Sequence, residues 1–174
     1  MSSKLKLRLP WYRDDNTFLK NFIFGVEDSL VSTVGLLAGV AAAQAGRTAI
    51  ITTGLVLIVV EGFSMGIGSF LTEETTDEIA GRKDNDFEAL KGGITMLLSY
   101  VGAGLLPLFP YFIWDSSIAI TVSVASSLLG LFGLGLGTAL YFNRPRPFVR
   151  AFKMMFLGGL AVFVGIVIGK IFHL

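Results

Sequence analysis

Apolar residues run along this chain in five long blocks, at roughly 21–45, 48–72, 91–113, 116–142 and 152–172, with polar and charged residues gathered between them. Each block is long enough for a helix to cross ~30 Å of hydrocarbon. The breaks fall where a helix is hard to continue. Gln44, Ala45 and Gly46, followed by Arg47, divide the first two blocks, and Pro107 and Pro110 bend or end the third. Asp115 and Ser116 mark the next turn, and the Asn143 to Pro147 stretch closes the fourth block. The pattern predicts an all-α membrane protein with five transmembrane helices in a single transmembrane domain, 1–174, and a short acidic connection at 73–90.

Composition agrees and narrows the class. Hydrophobic residues make up 53% of the 174, charged residues only 16%, and the mean hydropathy is +0.71, too apolar for a soluble domain of this length. A net charge of +1, with the basic residues set at block ends, gives no nucleic-acid signal. The absence of cysteine removes disulfides, thiolate metal sites and thiol redox chemistry. Met1 to Lys20 is basic and mixed, without the apolar core of a cleavable signal peptide. No nucleotide loop, hydrolytic triad or redox pair appears, so an enzyme is not expected and no cofactor is called for.

Lysine and arginine positions set an expected orientation. Lys4, Lys6, Arg8, Arg13 and Lys20, then Arg82, Lys83 and Lys91, then Arg144, Arg146, Arg150 and Lys153 fall on one side, leaving Arg47 and Lys170 of the chain's 14 on the other. The positive-inside rule then puts the N-terminus in the cytoplasm and the C-terminus outside or in a lumen. The Arg144 to Arg150 run is accounted for by such an anchor, an anionic-lipid contact being the other reading.

Three acids break the apolar pattern and carry the chemistry. Glu27 and Asp28 interrupt the run from Phe22 to Ala45, and Glu61 interrupts the run from Ala49 to Leu71. A carboxylate at bilayer depth costs roughly 2.5–3.5 kcal/mol on insertion scales, so it calls for a partner, a cation or a proton. Met65 lies one turn beyond Glu61, on nearly the same face. Packing is the commoner fate of a membrane methionine; its register with the acids is what suggests a ligand. If the first two spans form an antiparallel hairpin about Gly46 and Arg47, residues whose numbers sum to about 93 share a depth, which pairs Asp28 with Met65 and Ser32 with Glu61. Glu27 and Asp28, adjacent on one helix, cannot face the same way.

Glycine carries a packing signal. Gly35 and Gly39, Gly62 and Gly66, Gly133 and Gly137, and Gly165 and Gly169 each sit at a spacing that lets helix backbones approach closely in lipid. Ordinary packing within one chain is the simplest reading of any single pair. Five helices enclose a polar path poorly, so a two-fold homodimer with the path at its interface, built largely from the first two helices, is expected.

The stretches Gly25 to Gly39, Glu61 to Leu71 and Gly104 to Tyr111, with Gly158 and Gly159, resemble the vacuolar iron transporter family over nearly the whole chain. The resemblance implies a five-helix homodimer that exports ferrous iron, often manganese too, from the cytosol in exchange for protons. In that family the first-helix aspartate and the second-helix methionine line the path, which carries over to Asp28 and Met65. The plant members place a glutamate two turns before the methionine, where this chain has Leu57, so Glu61 takes that role by analogy. Longer members insert a metal-binding domain between spans two and three. Here only 72–90 stands there, with Glu73, Glu74, Asp77 and Glu78 as a possible site of cytoplasmic metal capture or a solvated acidic extension.

The donor set gives an independent indication. Carboxylates with a thioether favour Fe²⁺, Mn²⁺ or Co²⁺, and with the only histidine at position 173 a tight Zn²⁺ or Cu⁺ site is not expected. The expected partners are therefore a second copy of the chain, the lipid bilayer (cell inner membrane or vacuolar membrane), divalent metal ions and protons. The metal set is Asp28, Met65, Glu61 and Glu27. A passive cation channel and a non-transporting membrane scaffold are the alternatives.

Overall fold

A computed structural model describes residues 17–79 and 86–172 of the chain. Lys4, Lys6, Arg8, Arg13, Arg82, Lys83 and His173, all named above, lie outside the described residues. The fold is all helical there: α1 (Thr17–Ala42), α2 (Arg47–Ile79), α3 (Asp86–Leu108), the single turn α4 (Pro110–Ile113), α5 (Ser116–Tyr141) and α6 (Pro147–Ile171). All but α4 are long and apolar enough to cross a membrane, so the chain is an integral, multi-pass membrane protein.

Helix breaks follow the local chemistry. Between α1 and α2, Gln44 takes a left-handed conformation (φ 57°), and the Ala45 N–H donates back to the Val40 carbonyl at 3.3 Å. This closes α1 as a glycine cap would. Prolines end α3: the chain turns through α4, the Ser123 hydroxyl donates to the Pro107 carbonyl at 2.7 Å, and Arg47 donates to the carbonyls of Tyr111 and Phe112. Backbone oxygens left at the ends of α3 and α4 thus find side-chain partners, as an apolar medium requires. Asn143 (φ 48°) and Arg146 (φ 59°) make the α5–α6 turn.

Helix α1 is the hub. It packs most extensively on α3 and α6, and less on α5 and α2, while α2 lies mainly on α3 and α5 on α6. The first two helices are antiparallel neighbours, as expected, but each packs more extensively on α3 than on the other. Small residues decide the neighbours: a Cβ added at Gly25 would meet Ser99 and Met96 of α3, and one at Gly35 or Gly39 would meet the backbone of Ala161 or Gly165 of α6. From the α6 side, a Cβ at Gly165 or Gly169 would strike the carbonyls of Gly35 and Gly39. The partners rise together in number, so α1 and α6 run parallel, with small residues spaced by four facing each other on both.

Three of the four glycine pairs are explained within one chain. Gly62 and Gly66 lie against Leu97, Val101 and Gly93 of α3, whereas Gly133 and Gly137 face open space. Apolar side chains fill what the glycines leave. Leu37, Ile50, Ile58, Leu108, Tyr111 and Ala119 form one buried cluster, Leu30, Leu131 and Met154 a second, and Val34, Ala38 and Val162 a third.

Gly165→Val should lower thermal stability in detergent by roughly 1–3 kcal/mol, the usual cost of overpacking. Gly159→Val, on the same helix at an open position, should change it little. Equal melting temperatures for the two variants would show that the α1–α6 approach is not tight.

Candidate functional site in the membrane

A side chain from a third helix ties Glu61 of α2 to Ser32 of α1, one turn from Asp28. Tyr100 of α3, fully buried at 0% exposure, donates its hydroxyl to Glu61 Oε2 at 2.7 Å. The same hydroxyl lies 2.7 Å from Ser32 Oγ of α1. Three helices thus meet at one oxygen. The Tyr100 backbone is held as well, because Ser29 Oγ donates to its carbonyl at 2.6 Å. A further polar clip joins α1 to α2 toward the start of α1, where Asn21 Nδ2 donates to Ser69 Oγ at 2.9 Å.

This bridge sets the depth of the remaining groups. Ser32 and Glu61 share a level, as the antiparallel register of the first two spans requires. Asp28 precedes Ser32 by one turn on α1 and Met65 follows Glu61 by one turn on α2, so both lie about 6 Å from that level on the same side. Asp28 is half-buried and within electrostatic reach of Glu61 and of the Tyr100 hydroxyl. Glu61 and Met65 are half-buried too, and Leu57 sits one turn from Glu61 on the opposite side. Beside them on α2, Ser64 and Gly68 are exposed, and Gly68 has nothing near it.

Glu27 parts company with this group. It lines a cavity against α6 with Arg146, Arg150 and Lys153, and lies within electrostatic reach of Arg150. The 100° between neighbouring helix positions puts Glu27 toward α6 and Asp28 toward α2 and α3. Of the four residues expected to form one metal set, Asp28 lies within electrostatic reach of Glu61, Met65 is one turn from Glu61 on α2, and Glu27 faces the cavity beside α6. Among the described residues, no group of three or more His, Cys, Asp or Glu side chains stands close enough to hold a metal ion.

Past the site, α2 continues without interruption to Ile79, beyond the end expected at 72, and carries Glu73, Glu74, Asp77 and Glu78 on helix. Asp77 is buried, Glu73 and Glu74 are half-buried and Glu78 is exposed, so the segment is not a uniformly solvated face. Thr75 and Thr76 donate to the carbonyls of Leu71 and Thr72, one turn back.

Sequence reasoning missed Tyr100. A signal was present: Ser99 and Tyr100 place two polar groups in the middle of an otherwise apolar span, where each needs a partner.

Five membrane-length helices, with Tyr100 bridging Ser32 and Glu61 between three of them, define a multi-pass membrane protein with a polar centre inside its bundle. The chain belongs to the VIT family, which it matches over residues 19–87 and 76–170. Among similar proteins, vacuolar iron transporter 1 of Arabidopsis thaliana is 21% identical over 214 residues, covering 88% of this chain and 85% of its own length. That alignment is longer than this chain, so the relative carries segments with no counterpart here. Vacuolar iron transporter 1 of Oryza sativa subsp. japonica is 26% identical across 82% of this chain and 81% of its own. Vacuolar iron transporter homolog 1 from the same rice is 29% identical across 70% of this chain and 60% of its own.

Ser32→Ala and Tyr100→Phe should each cost about 1–3 kcal/mol, since each leaves a polar group in the bundle short of a partner. The double variant should lose clearly less than the sum, because both changes break one network. Strict additivity in a thermal-unfolding cycle would dissolve the bridge into independent contacts.

Proposed function

We propose that this protein exports Fe²⁺ and Mn²⁺, with Co²⁺ as a further substrate, from the cytosol in exchange for protons, along a path shared by two copies of the chain. The observation that carries this reading is that Asp28 lies within electrostatic reach of Glu61, which Tyr100 ties to α1 through Ser32, with Met65 one turn from Glu61 at the depth of Asp28. Its similarity to vacuolar iron transporters of Arabidopsis thaliana and rice supports iron as a substrate. The thioether favours borderline cations over Mg²⁺ or Ca²⁺, which prefer oxygen alone.

Stoichiometry argues for two copies. One chain brings two carboxylates and one sulfur toward the path, short of the six or so ligands a divalent ion holds. A two-fold axis beside α2 doubles the set. Ser64 and Gly68, small and exposed next to Glu61 and Met65, would let two such helices approach. The N-terminus then lies in the cytoplasm by the positive-inside rule, and Glu73, Glu74, Asp77 and Glu78 stand at the cytoplasmic mouth as a low-affinity collector.

Each group has a distinct part. Asp28 offers negative charge to the ion nearer the cytoplasmic end. Glu61, one turn deeper, exchanges the ion for a proton, and the Tyr100 hydroxyl donates to whichever carboxylate oxygen is free. A carboxylate in low dielectric binds a proton readily once the cation has left, which couples the two fluxes. A passive channel would use the same acids without that coupling.

Asp28→Asn should abolish metal flux in proteoliposomes while folding and dimerisation persist, since the amide keeps the shape but neither neutralises a cation nor takes up a proton. Met65→Ala should reduce Fe²⁺ and Co²⁺ flux more than Mn²⁺ flux, and Glu61→Gln should lower all three and flatten their dependence on an imposed pH gradient. Wild-type flux in Asp28→Asn, or metal uptake by the parent protein that ignores the pH gradient, would sink the antiport reading.

A further inference from the structure

A polar concavity lies apart from Asp28, Glu61 and Met65. Glu27 of α1 faces the first turns of α6 across a cavity of about 530 Å³, lined by Pro145, Arg146, Val149, Arg150, Lys153, Met154 and Leu157 as well. That volume lies in the range of small-molecule sites, about 300–1,000 Å³. Arg146, Arg150, Lys153 and Leu157 follow one another at helical spacing, so they form one stripe. Three cations meet a single carboxylate among the lining residues, and the concavity keeps an excess of positive charge.

Position and lining identify the class of ligand. Arg150 and Lys153 stand within the first ~10 Å of a helix that begins at Pro147, close to one end of a membrane-length span rather than at its middle. Beside the cations the wall is apolar at Val149 and Met154 and continues so to Leu157 one turn on, and the neighbouring surface of α6 exposes Phe152, Phe156 and Leu160 along the same direction. A soluble anion has no use for that apolar continuation. An amphiphile with a phosphate at its head matches both parts, and basic pockets between transmembrane helices are known places for such headgroups.

We propose that the groove between Glu27 and the start of α6 binds the phosphate headgroup of an anionic phospholipid, with Arg146, Arg150 and Lys153 as its cationic contacts. Arginine offers planar, paired donors to phosphate oxygens and lysine a point charge. Glu27 holds Arg150 by charge when the groove is empty and sets a threshold that a neutral lipid does not overcome.

The test uses the full-length protein in detergent micelles, titrated with short-chain phosphatidylglycerol, phosphatidylcholine or inorganic phosphate. Binding is read by native mass spectrometry and by thermal unfolding. Phosphatidylglycerol should form a discrete adduct and raise the melting temperature, while phosphatidylcholine does neither. Arg150→Gln should weaken the phosphatidylglycerol complex roughly fivefold, and the triple change Arg146→Gln, Arg150→Gln and Lys153→Gln about a hundredfold, at about 1 kcal/mol per cation. Lys91→Gln, an exposed cation stacked on Phe87 elsewhere, should leave binding intact. If the triple variant fails to fold, Arg150→Gln alone decides the matter. Equal binding of phosphatidylcholine, or of phosphatidylglycerol to Arg150→Gln, overturns the proposal. Inorganic phosphate stabilising the protein as well as the lipid does would assign the groove to a soluble anion instead.

Discussion

The close approach of α1 to α6 is the contact on which the rest of the structure depends. Without a hydrophobic force between helices in lipid, association rests on van der Waals packing, and packing is best where backbones touch. Gly35, Gly39, Gly165 and Gly169 bring the two helices to backbone contact along two turns. This fixes α1 against α6 on one flank and leaves its other flank to carry polar groups toward α2 and α3. Rotating α1 by one residue would carry Asp28 out of reach of Glu61 and bury Glu27 in its place. The geometry of the acids is therefore a consequence of where the glycines are.

The polar side of α1 is held by hydrogen bonds rather than by shape. Asn21 to Ser69, Ser29 to the Tyr100 carbonyl and Ser32 to the Tyr100 hydroxyl lie along one stripe of α1, spaced by about two helical turns and less. Such groups need partners where water is absent, and each finds one on a different helix. The bridge also gives Glu61 a donor. A carboxylate with one hydrogen bond and unfilled lone pairs is kept in place yet remains able to accept a cation or a proton.

The one-dimensional pattern revealed a good part of this arrangement. Five apolar blocks, the break at Gln44 to Gly46, the prolines that end α3 and the shared depth of Ser32 and Glu61 all follow from spacing and local preference. The separation of Glu27 from Asp28 follows from the 100° step of a helix. What the pattern could not supply is which helices are neighbours. Residue spacing names the small face of α1 but not the helix that fills it, and so α3 and its Tyr100 stayed out of sight until packing was known. The far end of α2 was obscure for a related reason: Glu73, Glu74, Asp77 and Glu78 read as a connection, yet they suit a helix whose earlier turns are already fixed by packing on α3.

Charge on the side where α2 ends and α6 begins is divided, and α1 is the divider. The end of α2 presents Glu73, Glu74, Asp77 and Glu78, while the start of α6 presents Arg144, Arg146, Arg150 and Lys153. Because α1 and α6 run parallel and α2 runs against both, these groups share one face of the membrane. Over a screening length of about 8 Å in physiological salt, a cation near that face feels mostly the cluster it is closest to. It is drawn along α2 and turned away from α6. Adjacent residues of α1 carry the division into the bilayer, with Glu27 answering the basic cluster and Asp28 continuing the acidic one toward Glu61. An anion seated against Arg146, Arg150 and Lys153 would remove the repulsive half of that field without touching the acids that face the other way.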